Sequence, residues 1–102
     1  MSAKDSIHLF QSIVSLSDQQ LKSILEVTTS KQCSIIANAV RNLMHNKSII
    51  ISDKDKKFLQ KHIQLVQQLA SKLICSSDKR QLFTDNYKII RRIANIVLQH
   101  LT

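Results

Sequence analysis

No glycine and no proline occurs anywhere in this sequence of 102 residues. Tight hairpin turns use Gly for positive φ, and loops commonly use both residues. A chain that lacks both is poorly suited to sheets and well suited to helices joined by short polar turns. Apolar residues make up 43% of the sequence, enough to bury a core in a chain of ordinary domain size. The sequence therefore predicts one all-α domain over residues 1–102, a compact bundle of five to six helices with no sheet of consequence.

Apolar periodicity and capping residues predict three helices in the first half. The first runs from about Lys4 to Val14. Ser17 to Gln20 has the Ser-x-x-Gln capping-box pattern and begins the second helix. Ser30 is the expected cap of a third. Asn46-Lys47 is its expected end, because Asn tolerates the left-handed conformation that terminates helices when Gly is missing.

The segment Ser48–Ile51 is the one stretch that resembles a strand. No partner strand is visible, so an extended linker whose isoleucines pack into the core is the favoured interpretation. Ser52 is then the cap of the longest predicted helix, from about Asp53 to Ile74.

Two shorter predictions complete the chain. A short helix opens at Ser76 or Ser77 and includes Phe83. The last helix begins at Thr84 or Asp85 and runs nearly to Leu101.

The positive charge is concentrated in the second half. The net charge is +8, from 15 Lys or Arg against 7 Asp or Glu. Residues 1–51 carry 5 basic and 3 acidic groups, and residues 52–102 carry 10 basic and 4 acidic groups. We therefore interpret residues 1–51 as a core-building half and residues 52–102 as a basic-faced half. Such a field attracts phosphate backbones, anionic lipid or acidic proteins, and charge alone does not choose among them.

Basic residues follow the outward faces of the two main helices of the second half. At 100° per residue the lysines of the long helix form a stripe about 60° wide, away from its apolar side. Lys and Arg contact phosphate oxygens without a base-specific code, so we expect salt-sensitive binding to a nucleic-acid backbone, with duplex DNA favoured. Ordinary solvated surface positions are the alternative. The candidate nucleic-acid-binding residues are Lys54, Lys57, Lys61, Lys72, Lys79, Arg80, Lys88, Arg91 and Arg92.

The sequence offers little for catalysis, cofactors or metals. Its four histidines are scattered, and Cys33 and Cys75 match no metal or redox spacing. His62 falls on an apolar helix face, where a packed, hydrogen-bonded imidazole is expected, and Cys33 is expected to be a reduced structural thiol. Without Gly there is no Gly-rich phosphate loop. We therefore expect no enzyme, no cofactor, no metal site and no small-molecule substrate.

A series of short motifs in residues 32–82 carries a family resemblance. The motifs are Ala39-x-x-Asn42-Leu43, Asn46, Ile49-Ile50-Ile51-Ser52, Lys56-Lys57-x-Leu59, His62, Leu69-Ala70-x-Lys72 and Lys79-Arg80-x-Leu82. They resemble a small basic protein of Polinton (Maverick) elements and the related adintoviruses. The resemblance implies a virus- or mobile-element-encoded protein, comparable in role to the small basic core proteins that accompany packaged adenovirus DNA. The matching basic positions are Lys56, Lys57, Lys72, Lys79 and Arg80.

The sequence also departs from that family. Its members commonly continue into a Gly-containing apolar tail, whereas an amphipathic helix from Asp85 to Leu101 follows here. This chain is also less basic than a DNA-condensing peptide. The alternative is therefore a protein-interaction or oligomerisation module, a homodimer or capsid-associated adaptor or regulator whose basic face docks on an acidic viral partner.

The expected location follows from apolar runs. The first residues have no apolar signal region, and no run approaches the ~20 residues of a membrane-spanning helix. We expect an intracellular protein, in the host nucleus or cytoplasm, or one inside the virion, and not a secreted one. A membrane-surface role is disfavoured, because the apolar faces lack Trp and are needed for the bundle.

Overall fold

The computed structural model describes residues 3–45, 51–71 and 74–101. This part of the chain is entirely helical apart from short connections, which confirms the all-α class. It contains seven helices, more than the five to six predicted. They are α1 (Ala3–Ser15), α2 (Asp18–Glu26), α3 (Ser30–His45), α4 (Asp53–Lys61), α5 (Ile63–Ala70), α6 (Ser76–Asp85) and α7 (Tyr87–Leu101).

Side-chain caps begin the second and third helices. At α2 the predicted capping box is present: Ser17 Oγ accepts from the Gln20 amide, and Gln20 Oε1 accepts from the Ser17 amide, both at 3.3 Å. At α3 the cap is Thr29 and not the predicted Ser30. Thr29 Oγ1 accepts from the Gln32 amide at 3.1 Å, and Gln32 Oε1 accepts from the Thr29 amide at 2.9 Å. The prediction was one residue late because both Thr29 and Ser30 have capping side chains.

The long helix predicted from Asp53 to Ile74 is wrong. The chain leaves helical geometry at His62, with φ −110° and ψ 28°, and α5 ends at Ala70. Neither Gly nor Pro lies at the break, so we attribute it to tertiary packing. α5 packs against α3, while α4 is tied to α7 by side-chain contacts described below. One uninterrupted helix would have to satisfy both neighbours, and the break at His62 allows each half its own partner.

The boundary before the last helix also differs from the prediction. α6 continues through Asp85, and α7 begins at Tyr87 and not at Thr84 or Asp85. Asn86 separates them, with φ −125° and ψ 34°, and its Nδ2 donates to the Leu82 carbonyl at 2.9 Å. The side chain thus satisfies a carbonyl of the last turn of α6.

Two predictions fall partly or wholly outside the described residues. The expected helix end at Asn46-Lys47 lies outside them, as do residues 48–50 of the proposed linker. Ile51, which is described, is half-buried and packs against the core.

The core lies where α7 meets the rest of the bundle. α7 packs along α1 and also contacts α2, α3 and α6. The core is aliphatic apart from two phenylalanines and Cys33, and both halves of the chain supply it. The largest fully buried side chains are Phe10, Phe83, Ile13, Leu21, Leu25, Ile36, Leu69, Ile90, Ile93, Ile96, Val40 and Val66. The apolar side of α7 is buried in this core. Arg91 and Arg92, outside that apolar side, contact α2 and α4.

Candidate nucleic-acid interface

Exposed lysines cover the outer side of α4. Ser52 caps this helix, its Oγ accepting from the Asp55 amide at 3.2 Å. The cap fixes the residue at which the lysine-bearing helix begins. Lys54, Lys57 and Lys61 are exposed, as predicted for an outward stripe, and so is Lys56. Among the described residues none of these four ammonium groups forms an ion pair. They therefore remain available to an external anion.

Arg92 ties α7 to α4. Its Nη2 donates to Asp55 Oδ1 at 2.9 Å, and its guanidinium carbon lies 5.1 Å from the ring centroid of Phe58. Asp55 is only 7% exposed, so this carboxylate faces the arginine and not solvent. The pairing offsets the charge of Arg92, and it also removes one of the two acidic groups of α4 from the outer surface.

Arg91 makes a second tie, to the connection between α1 and α2. Its Nη1 donates to Asp18 Oδ1 at 2.6 Å, and its Nη2 donates to the Leu16 carbonyl at 2.8 Å. Hydrogen bonding from Arg91 lowers the pKa of Asp18 below its usual 3.8. Nε of Arg91 is buried without a hydrogen-bond partner in the described part of the chain. Arg91 is therefore oriented toward the protein rather than held ready for a ligand.

Lys88 and Lys22 flank the ring of Tyr87. Lys22 Nζ lies 4.7 Å and Lys88 Nζ 6.0 Å from the ring centroid. Both lysines are exposed, and Tyr87 is half-buried against the core. Sequence reasoning missed Lys22, since no local signal on α2 indicates that it meets α7.

Lys79 and Arg80 belong to the interior side of α6. Lys79 is only 6% exposed. Arg80 Nη1 donates to the Thr28 carbonyl at 2.9 Å, and its Nη2 donates to Ser77 Oγ at 3.3 Å. Arg80 thus fastens α6 to the connection between α2 and α3.

The nine predicted site residues consequently divide into distinct groups. Exposed ammonium groups belong to Lys54, Lys57, Lys61 and Lys88. Internal contacts engage Arg80, Arg91 and Arg92, Lys79 is buried, and Lys72 lies outside the described residues. A helical wheel treats all outward positions alike, but a long guanidinium side chain folds back on any carbonyl or carboxylate that a neighbouring helix presents.

His62 packs against an aromatic ring, and neither Cys33 nor Cys75 is in a disulfide. The His62 ring packs on Phe58 with centroids 4.9 Å apart, and no hydrogen bond from that ring to another described residue is found. Cys33 is buried and Cys75 exposed, and both are free thiols. In the described ranges, no three His, Cys, Asp or Glu side chains are grouped as metal ligands. Nor does any helix there have the length and apolar character needed to cross a bilayer.

Comparisons with known proteins add no relative: no protein-family model, curated protein or solved structure matches this chain.

Proposed function

We propose that this protein binds nucleic acid, duplex DNA in the first place, through phosphate contacts. The observation that supports this is the outer side of α4, where Lys54, Lys56, Lys57 and Lys61 are exposed and form no ion pair with another described residue. The acidic residues of that helix are Asp53 and Asp55, and Asp55 is buried against Arg92. The nine residues of α4 thus carry four exposed cations and one exposed carboxylate. This imbalance favours the binding of an anion over an ordinary solvated surface.

The dimensions of α4 suit a phosphate backbone. Nine helical residues span roughly 13 Å, over which duplex DNA presents one charge per ~1.7 Å of its axis. Flexible lysine side chains reach these charges without a fixed register, so little sequence preference is expected. Lys88 and Lys22 add two ammonium groups on α7 and α2, the helices that Arg91 joins.

The family resemblance points to the same activity. Lys56 and Lys57, two of its matching basic positions, are exposed on α4. By this analogy the protein is encoded by a virus or mobile element and is packaged with the genome. In this proposal the protein is not an enzyme but a folded protein that accompanies the DNA.

The test is a binding titration by fluorescence anisotropy with duplex DNA, single-stranded DNA and RNA. About four phosphate contacts give a slope of log affinity against log salt near −4, so affinity falls roughly 10²-fold between ~50 and ~200 mM salt. Absence of binding at the lower salt, or binding that salt does not change, contradicts the proposal. A protein that ignores all three polymers but binds polyglutamate has an acidic protein as its partner instead.

A further inference from the structure

A polar cleft of about 350 Å³ lies between α3 and the beginning of α6. Ser34, Asn38 and Arg41 of α3 line one side, and Cys75, Ser76 and Lys79 line the other. None of the described residues that line it is acidic. The cleft is separate from the exposed lysines of α4, and the proposed function makes no use of it.

Lys79 is the unusual residue of this cleft. It is 6% exposed, and among the described residues its ammonium group has neither a carboxylate nor a hydrogen-bond acceptor. Burial, and next the nearby charge of Arg41, lower the pKa of Lys79 below its usual 10.5. Its side chain is mostly buried, but its ammonium nitrogen still meets the open space of the cleft, since Nε of Arg91 is the one fully buried side-chain nitrogen without a partner among the described residues. A partly desolvated cation without a partner favours a negatively charged ligand.

Arg41 is held in position for the same group. Its Nε donates to the Ala70 carbonyl at 3.1 Å, and its Nη1 donates to Asn38 Oδ1 at 2.7 Å. These bonds fix the plane of the guanidinium and leave Nη2 without an acceptor in the described part of the chain. A preoriented guanidinium suits a tetrahedral oxyanion better than a flexible amine does.

The start of α6, whose first turn also carries the exposed Asp78, contributes backbone amide groups. This helix has ten residues, and its N-cap, Cys75, makes no side-chain capping bond. The amide groups of the first turn therefore lack the usual side-chain acceptor at the end where the helix dipole is positive. Backbone amides at such an end bind phosphate and sulfate readily.

We propose that this cleft is a binding site for an oxyanion of the phosphate type, held by Lys79, Arg41 and the first-turn amides of α6. Ser34 and Ser76 line the same cleft and carry hydroxyl groups that can serve as additional donors. The phosphate comes either from a free phosphate compound or from the backbone of a nucleic acid. The site stands or falls independently of binding by α4.

The first test is thermal unfolding in inorganic phosphate against chloride at matched ionic strength. Because a ligand bound to the folded state stabilises it, phosphate raises the Tm of the wild-type protein by several degrees. The Lys79→Met variant loses that increase, and in chloride it is at least as stable as the wild type because a mostly buried side chain no longer carries an unpaired charge. Lys31→Met, which removes an exposed lysine of α3 outside the cleft, keeps the increase. An equal Tm in the two salts, or an equal increase in Lys79→Met, overturns the proposal.

The second test needs no variant. Cys75 lines the cleft and is exposed, whereas Cys33 is 2% exposed. Phosphate in the cleft slows alkylation of Cys75 by the neutral reagent iodoacetamide several-fold, measured by mass spectrometry of the peptide. An unchanged rate in phosphate and in chloride counts against the site.

Duplex binding by the same variants identifies the source of the phosphate. If Lys79→Met weakens duplex binding more than Lys31→Met does, the cleft receives a nucleic-acid phosphate. If the two bind alike while phosphate still protects the wild type, the cleft receives a free phosphate compound. If the protein binds phosphate but no duplex, the cleft proposal is supported and the proposed function is contradicted. If it binds duplex but phosphate has no effect on Tm or alkylation, the proposed function is supported and the cleft proposal is contradicted.

Discussion

Nη2 of Arg92 lies 2.9 Å from Oδ1 of Asp55, so a residue of the last helix satisfies a carboxylate buried on α4. Asp55 also lies in the first turn of α4, where its amide donates to the Ser52 cap. The position of the lysine-bearing helix therefore depends on an arginine that is itself only partly exposed.

The pair can be tested by a double-mutant cycle. Asp55→Ala leaves Arg92 without its acceptor and lowers the free energy of unfolding by about 1–2 kcal/mol, at the modest end because Arg92 is partly solvated. Arg92→Ala has a comparable effect through the buried carboxylate that it leaves. Urea denaturation of the double variant should show less than the sum of the single effects, and additive effects would contradict the pairing.

The contact between Asp18 and Arg91 predicts a pH dependence. The pKa of Asp18 is lowered in the folded state, so its contribution is present above pH 3.8 and is lost as the pH falls through the lower folded value. Asp18→Asn is therefore less stable than the wild type at neutral pH, and the difference shrinks in acid below pH 3.8. Urea midpoints measured over the acid range check this, and Asp78→Asn, on α6 away from Arg91, serves as the control.

Thr29 and Ser30 give a test of the cap of α3. Thr29→Ala removes the acceptor for the Gln32 amide and costs about 1 kcal/mol of stability. Ser30→Ala, at the first helical position, leaves both capping bonds in place and changes stability little. Chemical denaturation of the two variants distinguishes them, and the opposite ranking would return the cap to Ser30.

Charge reversal distinguishes the lysines of α4 from basic charge in general. Lys57→Glu weakens duplex binding, because it replaces an exposed cation of the stripe by a repelling anion. Lys31→Glu makes the same change in net charge at an exposed position of α3 and has a smaller effect. Anisotropy titrations at low salt measure both, and equal losses would mean that only the net charge matters. Arg91 and Arg92 are unsuitable for this test, since reversing them breaks internal contacts.

Phe83 tests how tightly the core is packed. Its side chain is 0% exposed on α6, and Phe83→Ala is expected to remove about 3–5 kcal/mol, a large part of the stability of a small domain. Val27→Ala, at a residue 73% exposed, is the matched control and leaves stability nearly unchanged. Circular dichroism during thermal unfolding compares them, and a mild effect of Phe83→Ala would mean a loosely packed core.

Local signals made part of this fold predictable. The capping box at Ser17 and Gln20 depends on residues three positions apart, so it could be read directly from the sequence. The last helix was likewise expected to be amphipathic, and its residues Ile90, Ile93 and Val97 are buried. Interactions that stay within one or two helical turns are encoded where they occur.

Long-range contacts explain what could not be predicted. The break at His62 contains no Gly or Pro, and the helices on either side of it, α4 and α5, have separate partners. Arg91 and Asp18 are 73 positions apart, so no pattern along the chain shows that they pair. The same applies to Arg80 and the Thr28 carbonyl. The predicted basic surface therefore included arginines that the folded chain uses internally.

The arginine and lysine side chains of this protein have different structural roles. Guanidinium groups of Arg80, Arg91 and Arg92 hold helices together, while ammonium groups on α4 and α7 face water. Acetylation of lysine amines would neutralise this outer surface and leave the arginine contacts intact, because guanidinium groups are not its targets. A single covalent modification can thus separate the attraction of this protein for anions from the integrity of its fold.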